Sequence, residues 1–174
     1  MGGPGALFGS LDPALLADPL GFLSAEHARQ RALLGHLERF ARKPGRRGRV
    51  AMARALAAWL AHDLPLHLRD EEESLFPRLP AVIAPLVDTL AADGRVAARQ
   101  CAMLQADLLA IARGHPAPAR FLPAALDFAA AYRRHLALEE AELLPAARRI
   151  LNTTERDAIA GEMAARRDQG GTDA

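Results

Sequence analysis

Apolar positions recur along this chain at helical spacing. In DPLGFLSAEHARQRALLGHLERFARK, which begins at Asp18, the positions Leu23, His27, Leu33, Leu34, Leu37 and Phe40 approximate the i, i+3, i+4, i+7 stripe of an amphipathic helix. Pro44-Gly45 closes that segment. The stretch KPGRRGR, with a proline, two glycines and positive charge, reads as a surface connection. A second helix is predicted from near Val50 to Phe76, where Pro77 and Pro80 cannot continue the hydrogen-bond ladder. Pro65 inside it leaves two possibilities, a kink or a fresh start capped by Asp63 with the proline in its first turn. Both keep His67 to Glu73 helical. A third pattern spans about Ala84 to Arg113 and ends in Gly-His-Pro-Ala-Pro, and a fourth runs from about Pro118 to Leu151. Asn152-Thr153-Thr154 followed by Asp157 predicts a capped short helix, and Arg166 to Ala174 a fraying polar tail.

Four long helices with short Pro/Gly connections imply sequential neighbours packed antiparallel, an all-α, up-down four-helix bundle followed by a short C-terminal helix. The expected organisation is a loose Gly-rich leader over 1–12, the bundle over 13–167 and a frayed tail over 168–174. Composition agrees with the helical reading. The chain has 174 residues, enough for one core, and is 51% hydrophobic with much Ala and Leu and few Val, Ile and Tyr. A formal charge of +1 provides no global field toward nucleic acid or an anionic membrane, and neither is expected as a partner. The basic stretch from Arg39 to Arg49 reads as a soluble turn. Cys101 is the single cysteine, so no internal disulfide can form. No charged start precedes an unbroken apolar run, so a signal peptide or spanning helix is not expected and a cytoplasmic location is.

Chemistry enters through two repeats of one spacing. The second helix carries His67-Leu68-Arg69-Asp70-Glu71 and the fourth His135-Leu136-Ala137-Leu138-Glu139, each placing a His and a Glu on one helix face. Imidazole nitrogen with carboxylate oxygen suits iron, manganese or zinc, and pairs from separate helices can converge inside a bundle. His27 on the first helix completes a candidate set of five: His27, His67, Glu71, His135 and Glu139. A lone His or a lone HxxxE pair usually serves packing or surface support. Two pairs that each lead into an acidic and then apolar-Pro ending, EEESLFP and EEAELLP, carry more. Glu72 and Glu140 are spare carboxylates beside the motifs that could supplement the ligand set, with a solvent-facing role the expected one. His36, His62 and His115 read as peripheral, Cys101 as a buried small apolar residue, and Tyr132 as a packed side chain or a hydrogen-bond donor near the centre. There is no HExxH, no ferritin-type ExxH, no GxxxxGK[ST] and no GxSxG, which removes several enzyme classes.

The stretches SAEHARQRALLGHLERFA, LPLHLRDEEESLFPRL and HLALEEAELLPAA resemble the best-marked parts of the hemerythrin-like, HHE cation-binding domain family, over about residues 18 to 165. The resemblance implies a non-haem di-iron centre inside the bundle, with the carboxylates of Glu71 and Glu139 bridging the metals and His27, His67 and His135 as nitrogen ligands. It implies a small diatomic ligand, dioxygen or nitric oxide, or a redox-sensing role, with a redox partner protein possible and the oligomeric state open. An oxidoreductase acting on dioxygen, peroxide or nitric oxide is the alternative, and a bundle with a degenerate metal site is a third. One departure stands out. The family presents a His on its third helix, and here Asp93-Gly94 occupies the matching place, so water or Asp93 fills the vacancy, one metal binds, or a second site is weakened.

Overall fold

The computed structural model describes residue 9, residues 11–45 and residues 48–170, with 169 and 170 as backbone only. Most of the expected leader, and the arginine at 46 and 47 of the basic connection, lie outside the described residues. Every regular element among the described residues is helical. A 3-10 turn, Pro13–Ala17, opens with the Asp12 carboxylate accepting from the Ala14 amide at 2.9 Å. Helix α1 is Pro19–Arg42. Helix α2 covers 49–75, α3 is Ala84–Ala112, α4 covers 121–150 and α5 is Thr153–Gly170. Helix α1 packs against α4, α2 against α3, and α3 against α4, while α5 lies across the end of α1 and the end of α2. Between α1 and α4, Arg133 grips Glu38 with both guanidinium nitrogens, at 2.7 and 2.9 Å.

Helices α2 and α4 are not regular throughout. Three π-helical turns interrupt them, Trp59–Asp63, Asp70–Leu75 and Glu139–Leu143, each closed by an i to i−5 bond: Leu64 N to Trp59 O, Phe76 N to Glu71 O, and Leu144 N to Glu139 O. A proline follows each closing residue: Pro65, Pro77 and Pro145. The correlation has a steric cause. A proline has no N–H to donate and its ring collides with the carbonyl four residues back, and a widened turn moves that carbonyl away. At Pro65 the capped fresh start is not used, since Asp63 stays in helical conformation without capping and the extra residue is absorbed in the π turn.

Two apolar clusters fill the interior. One joins Leu33, Leu37, Trp59, Leu64, Leu104, Phe121, Phe128 and Tyr132. The other joins Leu20, Leu23, Leu75, Leu90, Leu143, Leu144, Ile159 and Met163. On α1, His27 falls in the gap between Leu23 of one and Leu33 of the other; on α2, Glu71 falls between Leu68 and Leu75; on α4, Glu139 falls between Leu136 and Leu143. A polar layer therefore sits at one level of an otherwise apolar interior. The C-terminal segment departs from expectation. In place of a tail fraying from Arg166, α5 stays helical to Gly170, and Ile159 and Met163 are fully buried beneath it.

Candidate metal centre

All five expected donors lie in that polar layer, and none is more than 3% exposed. The His67 and Glu71 side chains share a face of α2, with Nε2 to Oε1 at 3.3 Å, and His135 and Glu139 share a face of α4, at 2.9 Å. His27 enters from α1. Its Nε2 is 3.3 Å from Glu139 Oε2 and 3.7 Å from Glu71 Oε1. Donor atoms of His27, His67, Glu71 and Glu139 all lie within 4.8 Å of one another, and His135 joins through Glu139. These separations suit a shared cation. Two ligands bonded at about 2.1 Å stand about 3.0 Å apart at a right angle and about 3.4 Å apart at a tetrahedral one.

The hydrogen-bond pattern points the same way. His27 Nε2, His67 Nε2, His135 Nε2, Glu71 Oε1 and both carboxylate oxygens of Glu139 are buried, and although they approach one another at 2.9 to 3.7 Å, none of these approaches has hydrogen-bond geometry. A buried polar atom left unmatched costs about 1–3 kcal/mol, so six of them gathered in one layer suit the donors of a cation better than a finished network. The opposite edges of two rings are tied down. His67 Nδ1 donates to Glu26 Oε2 at 3.0 Å and His27 Nδ1 donates to Glu140 Oε1 at 2.8 Å, which leaves each Nε2 lone pair directed inward. The two rings meet edge to face, with centroids 5.0 Å apart. His135 is held by stacking on Tyr132, at 5.3 Å and 18°.

Burial and mutual charge push these groups apart in acidity. Burial alone would raise Glu71, but His67 and His27 beside it hold its carboxyl well below the usual carboxylate range. Glu139 is raised, by burial first and then by the charge of Glu71. Burial works against protonating His67, yet Glu71 and Glu26 outweigh it and raise its pKa well above the ordinary value; His135 is likewise raised, against burial, by Glu139. Negative charge is concentrated in a water-poor place, where a bound cation would relieve it.

Helix α3 contributes no donor to this layer. Its inward stripe reads Leu90, Gly94, Ala97, Cys101 and Leu104. Gly94 is buried, and a Cβ there would meet Leu68 Cδ2 at 3.4 Å and Glu72 Oε1 at 3.6 Å. Asp93 is exposed, so it does not fill the place of the missing histidine. Cys101 is a buried thiol whose pKa burial pushes up to about 12, so it stays an uncharged thiol at neutral pH. The Tyr132 hydroxyl is buried without a partner, and its pKa is raised by burial and then by Glu139 and Glu71.

Glu72 is exposed, as expected, and Glu140 is a correction. Its carboxylate turns inward far enough to fix the His27 ring, because Glu140 is one residue on from Glu139 and lies on the flank of α4 that faces α1. Sequence reasoning missed Glu26 and Asp70 altogether. Glu26 precedes His27 by one residue, and Asp70, fully buried, precedes Glu71 by one. His36 is half-buried, and His62 and His115 are exposed.

Residues 18–147 match the model of the hemerythrin HHE cation-binding domain. Among curated proteins and among solved structures, no match to the chain was found.

Proposed function

The chain belongs to the hemerythrin HHE cation-binding domain family, and on that premise we propose that its interior donors hold iron, as a di-iron or single-ion centre, and that it binds or senses dioxygen, nitric oxide or redox state. The observation that carries the reading is the convergence of buried, unpartnered donor atoms from α1, α2 and α4. His27, His67 and His135 would supply nitrogen ligands, and Glu71 and Glu139 oxygen. Three imidazoles with two carboxylates suit iron, with manganese and zinc also accommodated by such a set. Glu139 turns one oxygen to His135 and the other to His27, an orientation that supports the bridging role expected for two ions. An up-down antiparallel order of α1 to α4 and a cytoplasmic location belong to the same proposal.

When bound, reduced iron would supply an exchangeable coordination position and an electron. The protein's part is to aim the ligands and limit access. Glu26 and Glu140 fix ring orientation, and the apolar clusters on either side keep water and larger molecules out. Metal analysis of the purified protein, followed by anaerobic reduction and exposure to dioxygen or nitric oxide, tests the reading. Iron in stoichiometric amount and a visible spectrum altered by either gas are expected. An iron-loaded protein indifferent to both would overturn the gas-binding reading, and a protein with no stoichiometric transition metal and unchanged stability toward chelators would be a bundle with a degenerate site.

One observation favours an oxidoreductase as the second reading. With Gly94 and Ala97 on its inward stripe, α3 presents no donor from these positions, which would leave a coordination position to a substrate. Turnover of dioxygen, peroxide or nitric oxide by the loaded protein distinguishes this from binding alone. A separate redox protein would then be the electron source.

A further inference from the structure

We infer that the C-terminal helix is part of the metal centre, with Arg166 and Arg167 as positioning residues that hold His67 and Glu71 in ligating geometry through Glu26 and Asp70. The inference rests on the metal-centre reading above. Helix α5 lies beyond the segment that matches the family.

Asp70 is fully buried and immediately precedes Glu71 in the π turn Asp70–Leu75. Both of its oxygens are taken, one by each arginine: Arg166 Nε donates to Oδ1 at 2.8 Å and Arg167 Nη2 to Oδ2 at 2.7 Å. Arg166 also donates to Ser74 Oγ at 2.5 Å, so it holds the turn at both ends of one helical circuit around Glu71. A π turn is a poorly favoured local structure, and its geometry persists where surrounding contacts specify it. Here those contacts come from α5.

The second link runs through Glu26. Arg167 Nη2 stands 3.7 Å from Glu26 Oε1, and the other oxygen, Oε2, accepts from His67 Nδ1. Arg167 is itself fixed, because its guanidinium lies 4.7 Å over the Phe22 ring. Two routes therefore lead from one helix to the two α2 ligands. Docking of α5 does not depend on them. Ile159 and Met163 are buried in the second apolar cluster, and Arg156 Nη2 donates to the Arg148 carbonyl oxygen at 2.6 Å, a contact that involves none of Asp70, Ser74 and Glu26. The two arginines also border a cleft of about 730 Å³ beside Glu26.

Simple electrostatics and positioning predict opposite signs. Removing two positive charges near a cation site should tighten metal binding by Coulomb attraction alone. If the arginines hold the ligands, removing them should weaken it, by the 10–100-fold typical of outer-shell partners. The test compares the wild-type protein, Arg166→Gln with Arg167→Gln, and Arg156→Gln, each folded by circular dichroism. Cobalt(II) and iron(II) affinities are measured by chelator competition, with the cobalt d–d spectrum as a geometric readout. The double variant should bind about 10–100-fold more weakly with a shifted spectrum, while Arg156→Gln matches wild type in both. Should the double variant fail to fold, Arg166→Lys with Arg167→Lys, which keeps both charges and removes the guanidinium hold on Asp70, should also weaken binding and shift the spectrum, where charge alone predicts no change. Unchanged or tighter binding with an unchanged spectrum would overturn the inference, as would equal weakening in Arg156→Gln, which would make α5 mere packing. A wild-type protein that takes up neither metal would instead overturn the metal-centre reading on which the inference stands.

Discussion

A carboxylate buried among imidazoles needs a compensating positive charge, and at the residue scale the site shows how far that demand reaches. Glu71 is kept ionised by His67 and His27, and its charge then hinders ionisation of Glu139. Gly94 faces this layer without a side chain, and its surroundings make a sharp prediction. A methyl group there would meet its nearest neighbours at 3.4 and 3.6 Å, ordinary contact distances, and φ is not positive. Gly94→Ala should therefore stabilise the protein by up to about 1 kcal/mol, from helix propensity alone, read as a higher urea midpoint at unchanged m-value. A lower midpoint would mean that α3 and α2 pack too closely there for any Cβ. Tyr132 offers the converse case. Its hydroxyl is buried with no partner, so Tyr132→Phe removes an uncompensated polar group and should leave the metal-free protein as stable or about 1 kcal/mol more so, by denaturant unfolding. A loss of stability in the metal-free variant would show that the hydroxyl is matched after all.

At the scale of elements, helix periodicity explains what was readable and what was not. His67 with Glu71, and His135 with Glu139, were visible because i and i+4 share a face whatever the tertiary structure does. Their supports were not. Glu26, Asp70 and Glu140 each sit one residue from a ligand, rotated about 100° around the helix, and whether such a side chain meets solvent or a neighbouring helix is a tertiary matter. The C-terminal arginines were hidden for a related reason, since a basic segment near a chain end resembles a solvated tail until Asp70 is known to be buried beneath it. The π turns left a trace in Leu64-Pro65, Phe76-Pro77 and Leu144-Pro145, a recurrence interpretable only with the backbone known. The start of α5 was legible in part, since the cap was expected at Asn152-Thr153-Thr154 but with Asp157, and Glu155 is the residue that closes it. Asn152 and Glu155 form a reciprocal box, the Glu155 amide donating to Asn152 Oδ1 at 3.0 Å and the Asn152 amide to Glu155 Oε2 at 2.9 Å. Asn152→Ala should cost about 1 kcal/mol in equilibrium unfolding, and no loss would show that burial of Ile159 and Met163 alone sets the helix start.

On the scale of the whole molecule, the all-helical class followed from composition and periodicity, whereas the division of the interior into two apolar clusters with a charged layer between them could not, because it depends on which turns of different helices come level. That division implies that folding and metal binding are linked. The ligands are brought together only in the folded chain, so metal should stabilise it by mass action, by about 2.7 kcal/mol when free metal is about a hundred times Kd. Chelation should lower Tm accordingly, by scanning calorimetry, and an unchanged Tm would count against any cation at this site. The pH dependence has a worked sign. In the metal-free protein the pKa values of His67 and His135 are raised, so the stability they contribute is complete below about 6.5, the unfolded value, and is lost as pH rises through their folded values. Metal requires those same nitrogens bare and its uptake expels their protons, so its affinity falls as the medium becomes more acidic. The two trends oppose each other. Between about pH 8 and pH 6 the Tm gap between loaded and metal-free protein should narrow, with proton release on binding measurable in a weakly buffered titration. A gap that stays constant across this range would place the protons elsewhere and remove His67 and His135 from the ligand set.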